Sequence, residues 1–384
     1  MGRLPAPPVP RLLAAAGGSL LAAGRSGRRG RRPGRGDAAP GRAVTTHPDV
    51  LIAGAGLAGT LLALELQRLG ARVVLADDGR PGASRLSAGL LNPVLGQRFT
   101  LDGQMTGLFT TAQRHYRRLE SRLEQALFQT LPLIRLFADE RERRRWERRR
   151  EDPRYAPWIV TPSLVDPDEG VTFRGGRLRV TPLLDAARRH LGQRGALLRG
   201  RVDDTTLRRL PGGGLGWGRL RPGRVVFCQG SRMGGVAAWR HLPLAPARGD
   251  LLTLHSSSPP PPAPLVRGHW LLPEGEDTLL CGATYDPFPL PRPDPRGARR
   301  LLGWAATLQP DVRLMRHKAG VRATTPDRLP WLGAHPRHAD LFLCNGFGSR
   351  GSLLIPEAAE RLAAHLLEGA PLPPLWCPDR HAGP

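Results

Sequence analysis

Two stretches of the sequence carry residue types at spacings that do chemistry. In GAGLAG, Gly54, Gly56 and Gly59 follow a short apolar run, and Asp77 closes a second one. Glycines so placed give a tight turn at Gly54, a backbone open to a pyrophosphate at Gly56, and close packing of helix on strand at Gly59. A helix starting at Leu57 and Ala58 then offers free N–H groups to the phosphates, and Asp77 accepts hydrogen bonds from an adenosine ribose. The second stretch is GVRATTPDRLPWLG, residues 320–333, with GFGSRG soon after it. Arg322 carries a planar fork that grips a substrate carboxylate or pairs with an acid of the fold. Gly346, Gly348 and Gly351, with Ser349 and Arg350 among them, lack the spacing of the first motif. They can still bring backbone N–H groups and a helix start close to a flat or anionic ligand.

The elements around these residues must hold them in place. Val50 to Ala53 predicts a strand; Leu57, Leu61, Leu62, Leu64 and Leu69 predict a helix stopped at Gly70; RVVLAD predicts a second strand ending at Asp77. Strand, glycines, helix, strand and terminal acid within about 30 residues specify dinucleotide binding, and this unit alone does not choose between FAD and a nicotinamide. DLFLCN, the second glycine loop, and Ile355, Ala358, Ala359, Leu362, Ala363 and Leu366 give a strand, a turn and a helix stopped by Gly369. Residues 105–151 suggest helices, VTPLLDAARRHLGQRGALL a helix and a strand, LPGGGLGWG a hairpin turn, and RPGRVVFCQG a buried strand. ARGDLLTL, HWLLP and TLLCGATYD read as strands of a separate sheet, with SSSPPPPAP as a connector.

Composition tempers any reading of charge. The chain has 57 Lys and Arg, of which Lys318 is the only lysine, and a net charge of +24. Arginine in such excess, with abundant Ala, Gly and Pro, reflects coding bias as much as contact with nucleic acid or membrane. DERERRRWERRRED, residues 139–152, interleaves seven arginines with six acids, the pattern of a solvated, salt-bridged helix. Residues 1–46 hold nine arginines and one acid, Asp37, and are expected to form an unfolded basic extension. A targeting segment and upstream sequence from a misplaced start are the other readings; LLAAAGGSLLAA is too short to span a bilayer. The four cysteines form no Cys-x-x-Cys pair, the histidines show no metal spacing, and His335 and His338 read as surface loop residues. A cytoplasmic, metal-free protein is the expectation.

Taken in order, DVLIAGAGLAG with Asp77, ASRLSAGLLNP (83–93), RVVFCQG, ARGDLL with CGAT, GVRATTPDRLPWLG and GFGSRG resemble the D-amino-acid oxidase and glycine oxidase superfamily of FAD-dependent oxidoreductases. The resemblance covers residues 48 to about 372 and runs closest to poorly characterised bacterial members. It implies an α/β fold: a Rossmann-like FAD-binding domain from 47–104, 172–240 and 318–384, and a mainly antiparallel substrate domain from 105–171 and 241–317. It implies non-covalent FAD, with Ser87, Ala88 and Gly89 near the flavin and Gly348, Ser349, Arg350 and Gly351 along its pyrimidine edge. Arg322 would anchor the carboxylate of a small amine or amino acid, whose C–N bond is oxidised to an imine with oxygen as acceptor. The tyrosine that partners this arginine in glycine oxidase-like enzymes falls at Trp270, a departure that leaves a simple amino-acid substrate open. A second cousin, the oxidase domain of a tRNA wobble-uridine modification enzyme, makes tRNA an alternative partner; a non-catalytic flavin-binding protein is the third reading.

Overall fold

The apolar run Val50–Ala53 forms a strand in which every residue is buried. The computed structural model that shows this describes residues 46–381, so the expected extension lies, save for its last residue, outside the described residues. Val50–Ala53 sits within a six-stranded sheet ordered Trp331–His335, His338–Asn345, Arg224–Phe227, Val50–Ala53, Val73–Asp77, Leu197–Arg199. All pairs are parallel except the first, which is antiparallel. Parallel strands are covered on both faces and so read as continuous apolar runs.

Alternation decides what covers each face. Val50, Ile52, Val73 and Leu75 pack with the helices Leu57–Arg68, Val180–Gln193 and Gly351–Glu368. Leu51, Ala53, Val74 and Ala76 pack with Leu215, Leu220, Met233 and Trp239 on the other side. Each such Val, Leu or Ile contributes about 1.5–3 kcal/mol on full burial.

The second sheet has eight strands, ordered Arg313–Arg322, Ala247–His255, Thr278–Gly282, His269–Pro273, Leu265–Arg267, Phe128–Leu136, Gly170–Leu178, Leu90–Leu91. Its pairs are antiparallel except Leu265–Arg267 against Phe128–Leu136. One face packs on the helix Pro295–Ala306 through Leu252, Leu254, Leu271, Leu279, Leu301 and Ala305.

Three expectations meet a different local structure. Residues 105–151 hold the helices Met105–Leu123 and Glu140–Arg150, but Phe128–Leu136 between them is a strand paired along its full length with Gly170–Leu178. Two expected domain borders, at 171/172 and 317/318, fall inside the strands Gly170–Leu178 and Arg313–Arg322, both members of the eight-stranded sheet. His335 is buried rather than in a surface loop: its Nε2 lies 2.8 Å from the Ala238 carbonyl and its Nδ1 accepts from the Arg337 N–H. The alternating-charge run is the helix Glu140–Arg150, N-capped by Asp139, with Arg143 bonded to Glu140 at 2.7 Å.

Candidate active site

The first glycine motif sits where Val50–Ala53 passes into the helix Leu57–Arg68. Gly54 has φ +104°, and a Cβ there would stand 2.7 Å from the Cys228 carbonyl oxygen. A Cβ on Gly59 would stand 2.0 Å from the Gly54 carbonyl oxygen, so helix and loop meet at a distance only glycine allows. Gly54, Gly56, Leu57 and Ala58 line a cleft of about 630 Å³ between the two sheets, while Gly59 lies behind it. Asp77, at the end of Val73–Asp77, lines the same cleft.

On the other side the helix Gly351–Glu368 begins at the cleft, which Gly348, Ser349, Arg350 and Gly351 line. Two helix N-termini thus converge on one cavity, each presenting N–H groups and a positive dipole end. Gly346 does not line it; with φ +84° it turns the chain just before, its α-carbon packed near Thr325 and Trp331. Gly348 donates to the Ala323 carbonyl at 2.8 Å, which ties the second glycine loop to the residue after Arg322. Ser87, Ala88 and Gly89 complete the lining; Gly89 has φ +72°, and a Cβ there would collide with the Leu178 carbonyl oxygen at 1.8 Å.

Arg322 ends its strand opposite Ala247, and strand alternation places Arg322, Gly320, Gly249 and Leu251 on one face. The guanidinium lies over Gly249, where a Cβ would stand 2.1 Å from Nη2. Its Nη1 donates to the carbonyls of Thr284 at 3.1 Å and Arg248 at 3.4 Å. Among the described residues it makes no ion pair. Nε and Nη2 have no hydrogen-bond partner among the described residues, and the Tyr285 ring flanks the cation at 6.0 Å. Burial pushes the Arg322 pKa down, opposed by Tyr285 and Asp250. Burial likewise lowers that of Arg350, which donates to the Arg328 carbonyl at 3.0 Å.

Trp270 pairs across the sheet with Gly282, and its indole lies over that glycine, where a Cβ would stand 2.5 Å from the ring. Trp270, Leu133, Val266 and Leu95 give the cleft an apolar wall. Sequence reasoning missed many lining residues, among them Ser84, Gln229 and Arg188. Ser84 accepts the Leu57 N–H at 3.1 Å; its place inside ASRLS was the available signal. Gln229 has a buried Oε1 with no hydrogen-bond partner among the described residues, and Arg188, on the helix Val180–Gln193, donates to Asp77, which no local pattern discloses.

Against this geometry, the FAD dependent oxidoreductase (DAO) family matches residues 49–365. The chain belongs to the DAO family of FAD-dependent oxidoreductases. It is 27% identical over 349 residues to a glycine oxidase of Pseudomonas aeruginosa, covering 83% of this chain and 94% of that one. It is 30% identical over 350 residues to the tRNA 5-methylaminomethyl-2-thiouridine biosynthesis bifunctional protein of Maricaulis maris, covering 88% of this chain but 55% of that one. The chain thus spans about half the length of that relative. Glycine oxidase from Geobacillus kaustophilus shares the fold, with a TM-score of 0.72, 22% identity, and coverage of 88% of this chain and 100% of that one.

The cleft of this oxidoreductase fits FAD on its own terms. Gly54 and Gly89 hold positive φ against carbonyls, two helix starts face the cavity, and the buried Gln229 Oε1 has no hydrogen-bond partner among the described residues. Gly54, Gly56, Leu57, Ala58 and Asp77 would hold the adenosine and phosphate half. Ser87 to Gly89 and Gly348 to Gly351 would hold the flavin half. Among the described residues no group of three His, Cys, Asp or Glu is arranged to hold a metal, and no helix is long and apolar enough to cross a membrane.

Proposed function

We propose that this oxidoreductase oxidises the C–N bond of a small amine or amino acid bearing a carboxylate, giving an imine, with oxygen as the electron acceptor. The observation that carries the reading is Arg322, a partly buried guanidinium on the cleft that, among the described residues, makes no ion pair and leaves Nε and Nη2 without a hydrogen-bond partner. Nε and Nη2 take the carboxylate side-on, and the two carbonyls on Nη1 stop the fork from turning. The apolar wall of Trp270, Val266 and Leu133 excludes water from the rest of the substrate and sets its size. FAD, when bound, supplies the two-electron acceptor for the hydrogen leaving the carbon next to nitrogen. The N–H proton leaves to water and the imine hydrolyses in water, so the reading calls on no acid–base pair of the protein. The glycine oxidase likeness supports both the substrate class and oxygen.

Action in tRNA wobble-uridine modification is the second reading, favoured by the bifunctional relative and by the net charge of +24. Four free cysteines, three of them buried, accord with a reducing compartment such as the cytoplasm.

The test is anaerobic addition of amines, amino acids and nicotinamides to the purified holoprotein. Bleaching of the flavin by carboxylate-bearing amines, with peroxide on readmission of air, is expected. Bleaching by a reduced nicotinamide alone contradicts the reading, and tight, salt-sensitive tRNA binding with no response to small amines moves it to the second.

A further inference from the structure

Beneath the face that carries Arg322 lies a carboxylate the reaction itself does not use. Strand alternation turns Gly249 toward the cleft and Asp250 to the reverse face, where Asp250 is fully buried beside Gly297 of the helix Pro295–Ala306. A carboxylate in that position is costly unless its oxygens are bonded. Here they are, from three separate elements. The Thr284 hydroxyl donates to one oxygen at 2.8 Å, and the Asp294 N–H and His317 Nε2 meet the other at 3.0 and 2.8 Å. The Asp250 N–H in turn donates to the Thr284 hydroxyl at 2.8 Å, closing a ring of two bonds between these residues.

Thr284 is also the residue whose carbonyl takes Arg322 Nη1 at 3.1 Å. The chain of contacts therefore runs from a buried charge, through a doubly bonded threonine, to the fork that faces the cleft. His317, four residues short of Val321 on the Arg322 strand itself, fastens the same carboxylate to that strand.

We propose that Asp250, acting through Thr284, is a positioning residue that holds the Arg322 guanidinium ready for a carboxylate. The proposal rests on the anchor reading of Arg322. A long side chain left free to rotate, such as that of arginine, loses entropy when it is ordered by a ligand. Here the ordering is in place before the ligand arrives. Asp250 also sets a negative charge behind a cation that burial disfavours, without standing near enough to compete for it.

The experiment titrates holoprotein with acetate, read by the change in flavin absorbance, for wild type and the variants Thr284→Val, Thr284→Ser, Asp250→Asn and Arg322→Ala. Thr284→Val and Asp250→Asn should weaken acetate about tenfold, as loss of one charge-assisted contact does, while Thr284→Ser stays within about twofold. FAD affinity should not change, and Thr284→Val should add nothing in an Arg322→Ala background. Wild-type acetate affinity in Thr284→Val and Asp250→Asn, with Arg322→Ala weakened, overturns the inference and leaves the anchor standing. Unchanged affinity in Arg322→Ala overturns the anchor and the inference with it. If Asp250→Asn loses its fold, the two threonine variants decide the matter alone.

Discussion

The guanidinium of Arg322 lies over Gly249, so close that a Cβ on that glycine would stand 2.1 Å from Nη2. Gly249 therefore makes room for the fork. A Gly249→Ala variant should fold, because the clash is with the far end of a flexible side chain, yet Arg322 must leave its place. KM for carboxylate-bearing amines should rise with FAD content unchanged. Steady-state kinetics beside the flavin spectrum check both halves.

Removing the fork itself has a larger effect. Arg322→Ala should raise KM by about ten- to a hundredfold, the loss of a charged hydrogen bond at roughly 1.5–3 kcal/mol. Arg322→Lys should recover little of this, since a point charge cannot make the two parallel bonds. Kinetics of the two variants side by side test the geometry rather than the charge alone.

Gly54 and Gly89 are tested through the cofactor. At both, φ is positive and the obstacle is backbone, the Cys228 and Leu178 carbonyls, which cannot swing aside. Gly54→Ala and Gly89→Ala should purify pale, with weaker FAD binding on reconstitution. Gly56→Ala, with only the Ser84 hydroxyl 3.2 Å away, should cost the apoprotein little and act when the dinucleotide binds.

These glycines also mark how much could be read from sequence. Gly54, Gly56 and Asp77 were legible because strand, turn and helix are local in the chain, and local spacing fixes their geometry. The second sheet was only half legible. HWLLP and TLLCG announced themselves, but Phe128–Leu136 carries Pro132 and no clean alternation, and its strand form comes from pairing with Gly170–Leu178. Arg188 beside Asp77, and Thr284 with Asp250 behind Arg322, join residues far apart in the chain. No period or motif records such contacts; they exist only once the sheets are assembled.

Trp270 offers a test of specificity. Its indole fills the space over Gly282 and narrows the apolar wall. Trp270→Ala should shift kcat/KM toward bulkier amines relative to small ones, with Arg322 still required. A panel of amines graded by size, assayed on wild type and variant, reads the shift.

Acid should act on the scaffold behind the site. Burial raises the Glu360 pKa, but the His115 hydrogen bond and the Arg114 and Arg118 charges outweigh it and lower it to about 2. The folded value lies below the ordinary 4.5, so this stabilisation is fully present above that pH and is lost as the pH falls toward 2. Glu360→Gln should lower Tm at neutral pH, and the gap from wild type should close in that acid window. Thermal melts of both proteins from pH 7 to about 2.5 follow it, the window being that of the linkage.

Recognition of a substrate carboxylate by Arg322 at the flavin is the proposal on which the substrate class rests. Its most direct measurement is kcat/KM for the best amino-acid substrate divided by that for its primary amide, in wild type and in Arg322→Ala. Wild type should prefer the acid by about tenfold or more, and the variant should lose that preference, since the fork is what distinguishes a charged acceptor pair from a neutral one. An equal preference in both proteins would show that Arg322 does not hold the substrate.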